Sequence, residues 1–270
     1  MHISKYIKLT LLLLVFLPGI PEKSFAVTPD STEIIVIGTV HYDTDNFNSD
    51  SLLNIIKTIS PGLILIEADT SYFTSDFEFE KDISTSFLET RAITKYKENN
   101  NVILRPYDIE KRDDFLNNYE RREKEISFFS MLDMLYSAGN LPSETENLLL
   151  SLITTMETAE FLSLSTPYNI NKTESDSLIR EINYYTYDGI RDIIESTPDL
   201  QEYKTYWDEN YDFWISRNDV MVEKIIHFTE EFKGNRIIVL CGFSHKPYIK
   251  DGLVESGNRA DLILKEYWEY

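Results

Sequence analysis

Residues 34–67 read IIVIGTVHYDTDNFNSDSLLNIIKTISPGLILIE. Ile34-Ile35-Val36-Ile37 and Leu63-Ile64-Leu65-Ile66 are unbroken apolar runs without polar alternation, the pattern of strands covered on both faces of a sheet. Between them Ser49 and Asp50 can cap a helix carrying Leu52, Leu53, Ile55, Ile56 and Ile59, which Pro61 and Gly62 close. A helix-length crossover between two such strands makes them parallel, so the stretch is a β-α-β unit.

Working outward, a helix is expected over 84–98, holding Phe87, Leu88, Ile93 and Tyr96, and then a strand at Val102-Ile103-Leu104 running into Pro106-Tyr107-Asp108. From about 111 to 233 strand signals are sparse and helical ones frequent. One amphipathic stretch covers 113–138 and ends at Gly139, and Ser143-Glu144-Thr145-Glu146 reads as a capping box for the apolar run that follows. Further helices are expected over 173–185, 187–196 and 200–232, with breaks at Pro167 and Pro198. The sheet resumes at Ile237-Ile238-Val239-Leu240, and Leu262-Ile263-Leu264 supplies a last strand. The expected fold class is α/β: a mainly parallel central sheet flanked by helices, with a large helical insertion between the third and fourth strands.

The 270 residues, 42% of them apolar, suffice for one substantial core, so residues 27–270 are expected to form one domain. Residues 1–26 are set apart as a signal peptide: Lys5 and Lys8 precede an apolar run over 11–17, then Pro18 and Gly19, then Ser24-Phe25-Ala26 as a small-residue exit. The run is short for a membrane span, which points to a secreted or periplasmic product without a span after cleavage. Formal charge is −20, and −22 once residues 1–26 are removed, which argues against nucleic acid as a partner. Cys241 is the sole cysteine, so no intramolecular disulfide can form. Inside a buried strand it reads as a packed thiol.

The chemistry-bearing pattern is a repeat. Ile34 to His41 reads IIVIGTVH and Ile238 to His245 reads IVLCGFSH: four apolar residues, Gly, two variable positions and His, in two copies 204 residues apart. In an open parallel sheet, ligand sites form outside the carboxyl ends of the strands, where both His41 and His245 fall. Gly38 and Gly242 suit sharp turns or close backbone approach there. Glu67 ends its own apolar strand at the same edge, and a carboxylate there is costly to bury unless it is paired or binds a metal. Two His and one carboxylate can make an open three-ligand site for a divalent ion. A helix cap or an arginine partner is the alternative for Glu67.

Asp108 reaches this edge by the same logic, as an acceptor fixing a ligating imidazole, as a general base, or as the cap of a helix starting near Ile109. Asp69 is similarly ambiguous. Arg217-Asn218 lies in a helical stretch; Arg217 either holds a substrate carboxylate or developing charge, or sits on the acidic surface, the more ordinary place for it. His227, at helical spacing from Glu223 and Glu230, makes only a weak metal pattern and reads as an exposed or core-edge histidine. Tyr203, Tyr206, Trp207, Tyr211, Phe213 and Trp214 either line a pocket or form helical core. No phosphate loop, Gly-x-Ser-x-Gly elbow, His-Glu-x-x-His or CxxC motif is present.

Taken in order, Gly38-Thr39-Val40-His41, Glu67 after its strand, Tyr107-Asp108, Arg217-Asn218 and Gly242-Phe243-Ser244-His245 resemble the TraB/GumN/Tiki family, within a wider group containing erythromycin esterase and ChaN-type proteins. The second motif departs from the family's Gly-x-Gly-His variant. The resemblance covers essentially residues 27–270 and implies a metal-dependent peptidase. His41, Glu67 and His245 would be metal-site residues for Mn, Co or Zn, and Arg217 and Asn218 would assist substrate or site geometry. The expected function is thus a secreted metal-dependent hydrolase acting on a peptide or small-molecule substrate, with Glu67 or Asp108 accepting the water proton. The alternative is a non-catalytic binder of haem, metal or a cell-envelope partner.

Overall fold

The protein is described here by a computed structural model, at residues 31–256 and 262–270. The expected signal segment 1–26 lies outside the described residues. Strand β1 (Thr32–Thr39) is buried at all eight positions, as its unbroken apolar run requires. With β2 (Leu63–Ile66), β3 (Ile103–Pro106), β4 (Arg236–Gly242) and β5 (Leu262–Lys265) it forms one all-parallel sheet in the order β3-β2-β4-β1-β5.

Alternation along the strands sends side chains to two covered faces. Ile35, Ile37, Ile64, Ile66, Ile238 and Leu240 pack against α1 (Ser49–Ile59) and α2 (Leu88–Lys97). Their neighbours Ile34, Val36, Leu63, Leu65, Ile237 and Val239 pack with Met221 and Ile225 and with α10 (Lys246–Glu255). The chain leaves β1 toward β2 and β3 on one side, and β5 is added on the other. The winding therefore reverses where β4 lies between β1 and β2, the place at which such sheets open a crevice.

Between β3 and β4 the chain is helical: α3 (Arg112–Leu116), α4 (Tyr119–Ser137), α5 (Ser143–Ser163), α6 (Pro167–Asn171), α7 (Thr173–Tyr184), α8 (Ile190–Ser196) and α9 (Lys204–Glu231). A third core unites Phe128 and Leu132 of α4, Leu149 and Leu152 of α5, Ile190 and Ile193 of α8, and Tyr206 and Trp207 of α9. At 28 residues α9 spans about 42 Å. Its first turns belong to this helical core and its last turns to the sheet. Among the described residues no helix is long and apolar enough to cross a membrane.

Several local expectations shift. The cap of α1 is Asn48 rather than Ser49 or Asp50: its side chain accepts from the Ser51 N–H at 3.0 Å while Ser51 Oγ accepts from the Asn48 N–H at 2.9 Å. The capping box at Ser143 does not form, because Pro142 occupies the cap position and its carbonyl already takes the Glu146 N–H at 2.9 Å. The single helix expected over 113–138 is two, since Asn118 Oδ1 caps Glu120 and Arg121 and starts α4 afresh. The helix expected over 200–232 starts at Lys204, after a 3-10 turn over Pro198–Tyr203.

Candidate active site

The register of β1, β4 and β2 brings the two motifs together. Thr39 pairs with Gly242, and Leu240 with Ile66, so His41, Glu67 and the turn leading to His245 emerge side by side at one sheet edge. The chain turns sharply out of β1 with His41 in the left-handed region (φ 65°), one of the few non-glycine residues there. This aims the ring back over the strand ends. Gly242 makes room for it: a Cβ on Gly242 would stand 2.9 Å from His41 Nε2 and 3.5 Å from Glu67 Oε2. Gly38 is needed for a different contact, since a Cβ there would meet the Phe243 Cα at 2.9 Å.

Both imidazoles are anchored through Nδ1. His41 Nδ1 lies 2.8 Å from Glu89 Oε1, and the same oxygen accepts from the Thr39 hydroxyl. His245 Nδ1 lies 2.8 Å from Asn218 Oδ1, and Asn218 is itself held by donating to the Trp214 carbonyl at 2.7 Å. An amide oxygen only accepts, so His245 carries its proton on Nδ1 and presents a bare Nε2, 3.7 Å from Glu67 Oε1. Trp214 stacks on the His245 ring at 4.4 Å and limits its rotation.

Glu67 is buried among donors. Arg217 Nη2 donates to its Oε1 at 2.5 Å and the Gly242 N–H to its Oε2 at 2.6 Å. Arg217 also grips Asp108 in a fork, Nε to Oδ1 and Nη2 to Oδ2, both 2.8 Å. Arg112 adds a bond to Asp108 Oδ2 at 3.1 Å, and the Ile109 N–H donates to Oδ1 at 2.7 Å. Asp108, wholly buried, thus serves as the anchor of Arg217; the reading of it as a helix cap fails, because no helix starts near Ile109 and the next, α3, begins at Arg112 behind Lys111.

The three titrating groups are pushed apart. Burial raises the Glu67 pKa, but the charges of His245, His41 and Arg217 and the Gly242 N–H overcome it and hold the carboxylate down at about 2. Burial opposes charge on His41 too, yet the hydrogen bond and charge of Glu89 prevail and raise it to about 9. Burial dominates at His245, which falls to about 4. At neutral pH the site therefore holds a carboxylate, an imidazolium and a neutral imidazole.

The residues singled out in the sequence divide cleanly. Glu67, Asp108, Arg217, Asn218 and His245 form one connected network, His41 faces it across Gly242, and Gly38 and Gly242 are the turns. The surface reading of Arg217 fails: it is buried at 7% exposure because α9 crosses the sheet edge there and meets two buried carboxylates. Asp69 caps a short turn through the Ser71 N–H at 2.9 Å and stays outside the network. His227 is exposed beside Glu231, and Cys241 is a buried thiol within β4. Three members were missed. Glu89 betrays itself only as a carboxylate on the apolar stripe of α2, in register with Ala92, Ile93 and Tyr96. Arg112 and Asn171 carry no local signal.

The site opens into a cleft of about 360 Å³ bordered by His41, Glu67, Arg112, Arg217, Gly242 and His245. Among the described residues, no group of three or more His, Cys, Asp or Glu side chains is arranged as it stands to hold a metal ion. The donor types do fit one: both histidines are oriented through Nδ1 and offer Nε2, the arrangement of metal-binding imidazoles, and Gly242 leaves space between His41 and Glu67. Compared with family models, curated proteins and solved structures, the chain matches none.

Proposed function

We propose that this protein is a hydrolase, peptidase-like in chemistry, working at His41, Glu67 and His245. The observation that carries the reading is the pair of imidazoles anchored through Nδ1, one protonated and one neutral, on either side of a buried carboxylate. Neighbouring groups driven to opposite protonation states are the mark of an acid and a base. The neutral His245, with Nε2 bare, takes the proton from a water held beside Glu67. The imidazolium of His41 lies across Gly242 and gives a proton to the leaving group. Glu67, charged and tied to Arg217, accepts no proton; it orients the water and stabilises the imidazolium that forms on His245. Arg217, held in place by Asp108, fixes Glu67 and helps keep it ionised.

A divalent ion, Mn, Co or Zn, would be held by His41, His245 and Glu67 and would supply a water of lowered pKa and a polarised carbonyl. Taking it up requires His41 to release its proton and Glu67 to loosen from Arg217, so binding should strengthen as pH rises. A secreted or periplasmic setting, expected from residues 1–26, belongs to the same proposal.

The test is a panel of peptide anilides and 4-nitrophenyl esters assayed with chelator and with each ion. His41→Ala and His245→Ala should each lower kcat by about 10²–10⁴-fold. Gly242→Ala should do likewise by displacing the His41 ring while the fold is kept. Absence of turnover by the wild type on every substrate, with and without ions, would sink the proposal and favour a binding protein.

A further inference from the structure

Beside the cleft, on the helical side, lies a second cavity of about 460 Å³ whose inner end is formed by Arg217 and His245. Its walls are rings: Phe115, Tyr187, Tyr206, Trp207, Phe213 and Trp214. Phe115 stacks on Phe213 at 3.9 Å and Tyr187 on Trp214 at 4.6 Å, and Trp214 stacks in turn on His245 at 4.4 Å. The stack of Tyr187, Trp214 and His245 thus joins the aromatic lining to the imidazole read as the base.

Two features show what this space suits. Arg217 at the inner end is already engaged by Asp108 and Glu67, and Glu125 borders the cavity, so a carboxylate finds no welcome within it. Trp207 is 6% exposed and Trp214 8%, so the rings that line the cavity are fixed in the packed interior. The volume, within the range of small-molecule pockets, suits a side group rather than a whole polypeptide.

We propose that this cavity is the specificity pocket of the site. It receives an uncharged bulky group, aromatic or long alkyl, attached next to the carbonyl that is cleaved. The inference rests on the hydrolase reading for the cleavage, though not for the binding. An aromatic peptide residue and the acyl chain of a small ester share this chemistry.

Trp207 and Trp214 both line the cavity, so tryptophan fluorescence reads its occupancy directly. N-acetyl-phenylalaninamide should bind at least tenfold more tightly than N-acetyl-glycinamide. Trp207→Ala, which removes one ring of the wall and leaves Trp214 as the reporter, should weaken that binding about tenfold. Met156→Trp, a substitution from a half-exposed wall position of α5, should fill the space and abolish the preference. In turnover, 4-nitrophenyl octanoate should exceed the acetate, and phenylalanine anilide the glycine anilide, by similar factors. A preference in one pair alone assigns the source as ester or peptide. Equal binding of the two amides, or a preference indifferent to both substitutions, overturns the pocket. Selective binding without hydrolysis of any probe sustains the pocket and overturns the hydrolase reading; hydrolysis without selectivity does the reverse.

Discussion

The two histidines of the repeated motif sit only a few ångströms from one carboxylate, yet burial strips His245 of its proton while Glu89 keeps one on His41. The consequence for stability follows from linkage. His245 has a folded pKa depressed from 6.5 to about 4, so its contribution is full above 6.5 and is lost as pH falls through 4. Glu67, depressed from 4.5 to about 2, continues that loss at lower pH. His41, raised from 6.5 to about 9, contributes below 6.5 and loses its contribution as pH rises through 9. Nearly half of its side chain, 45%, is exposed, so solvent screens this last effect. Urea midpoints followed from about pH 7 to pH 4 should fall for the wild type and fall less for His245→Gln. Parallel curves would refute the assignment of a buried neutral imidazole.

Among elements, α6 is short but joins the two motifs. Asn171 donates to the Gly38 carbonyl at 3.0 Å and accepts the Gly38 N–H at 2.7 Å, pairing with β1 just beyond the point where β5 stops. Its own carbonyl accepts from Lys246 Nζ at 2.6 Å, the residue directly after His245, and that buried ammonium is balanced by Asp176 at 2.7 Å. One residue thereby braces the exits of β1 and β4. Asn171→Ala leaves the buried Gly38 groups unpaired, and a loss of about 2–3 kcal/mol is expected in denaturant unfolding. Faster hydrogen exchange at the Gly38 amide should accompany it; unchanged exchange there would show that the brace is not required. The short α6 and the capped α1 contrast with α9, whose length lets one helix supply Trp207 to the cavity and Arg217 and Asn218 to the site.

For the molecule as a whole, β5 closes the sheet beside the motif-bearing β1. It is held by Lys265 on Glu33 and by Tyr270 on Glu33 at 3.1 Å, while Lys250 reaches Glu266 at 2.6 Å. Burial pushes the Glu33 carboxyl up, but Lys265, Arg236 and Tyr270 outweigh it and hold it below its ordinary pKa. Removing residues 262–270 would uncover the edge of β1, a row of unpaired backbone groups beside an apolar strand. A lowered melting temperature and concentration-dependent association, measured by calorimetry and light scattering, are expected. A monomer of unchanged stability would mean that β5 is dispensable to the sheet.

What the sequence determined alone is the layered fold and the edge of the sheet that carries chemistry. Runs such as Ile34-Ile35-Val36-Ile37 admit only strands buried on both faces, and each such strand delivers the residue after it to a known side. His41, Glu67, Asp108 and His245 were legible for that reason: their positions follow from local pattern plus parallel order. Tertiary structure alone decided the partners. Glu89 meets His41 only because α2 packs under β1, Arg217 turns inward only where α9 crosses the strand ends, and Asn171 reaches Gly38 from 133 residues away. Charge state, too, lay beyond the reach of the repeat. Two copies of Gly-x-x-His carry opposite protonation because burial and neighbouring charge, which set a pKa, depend on what the rest of the chain packs around each ring.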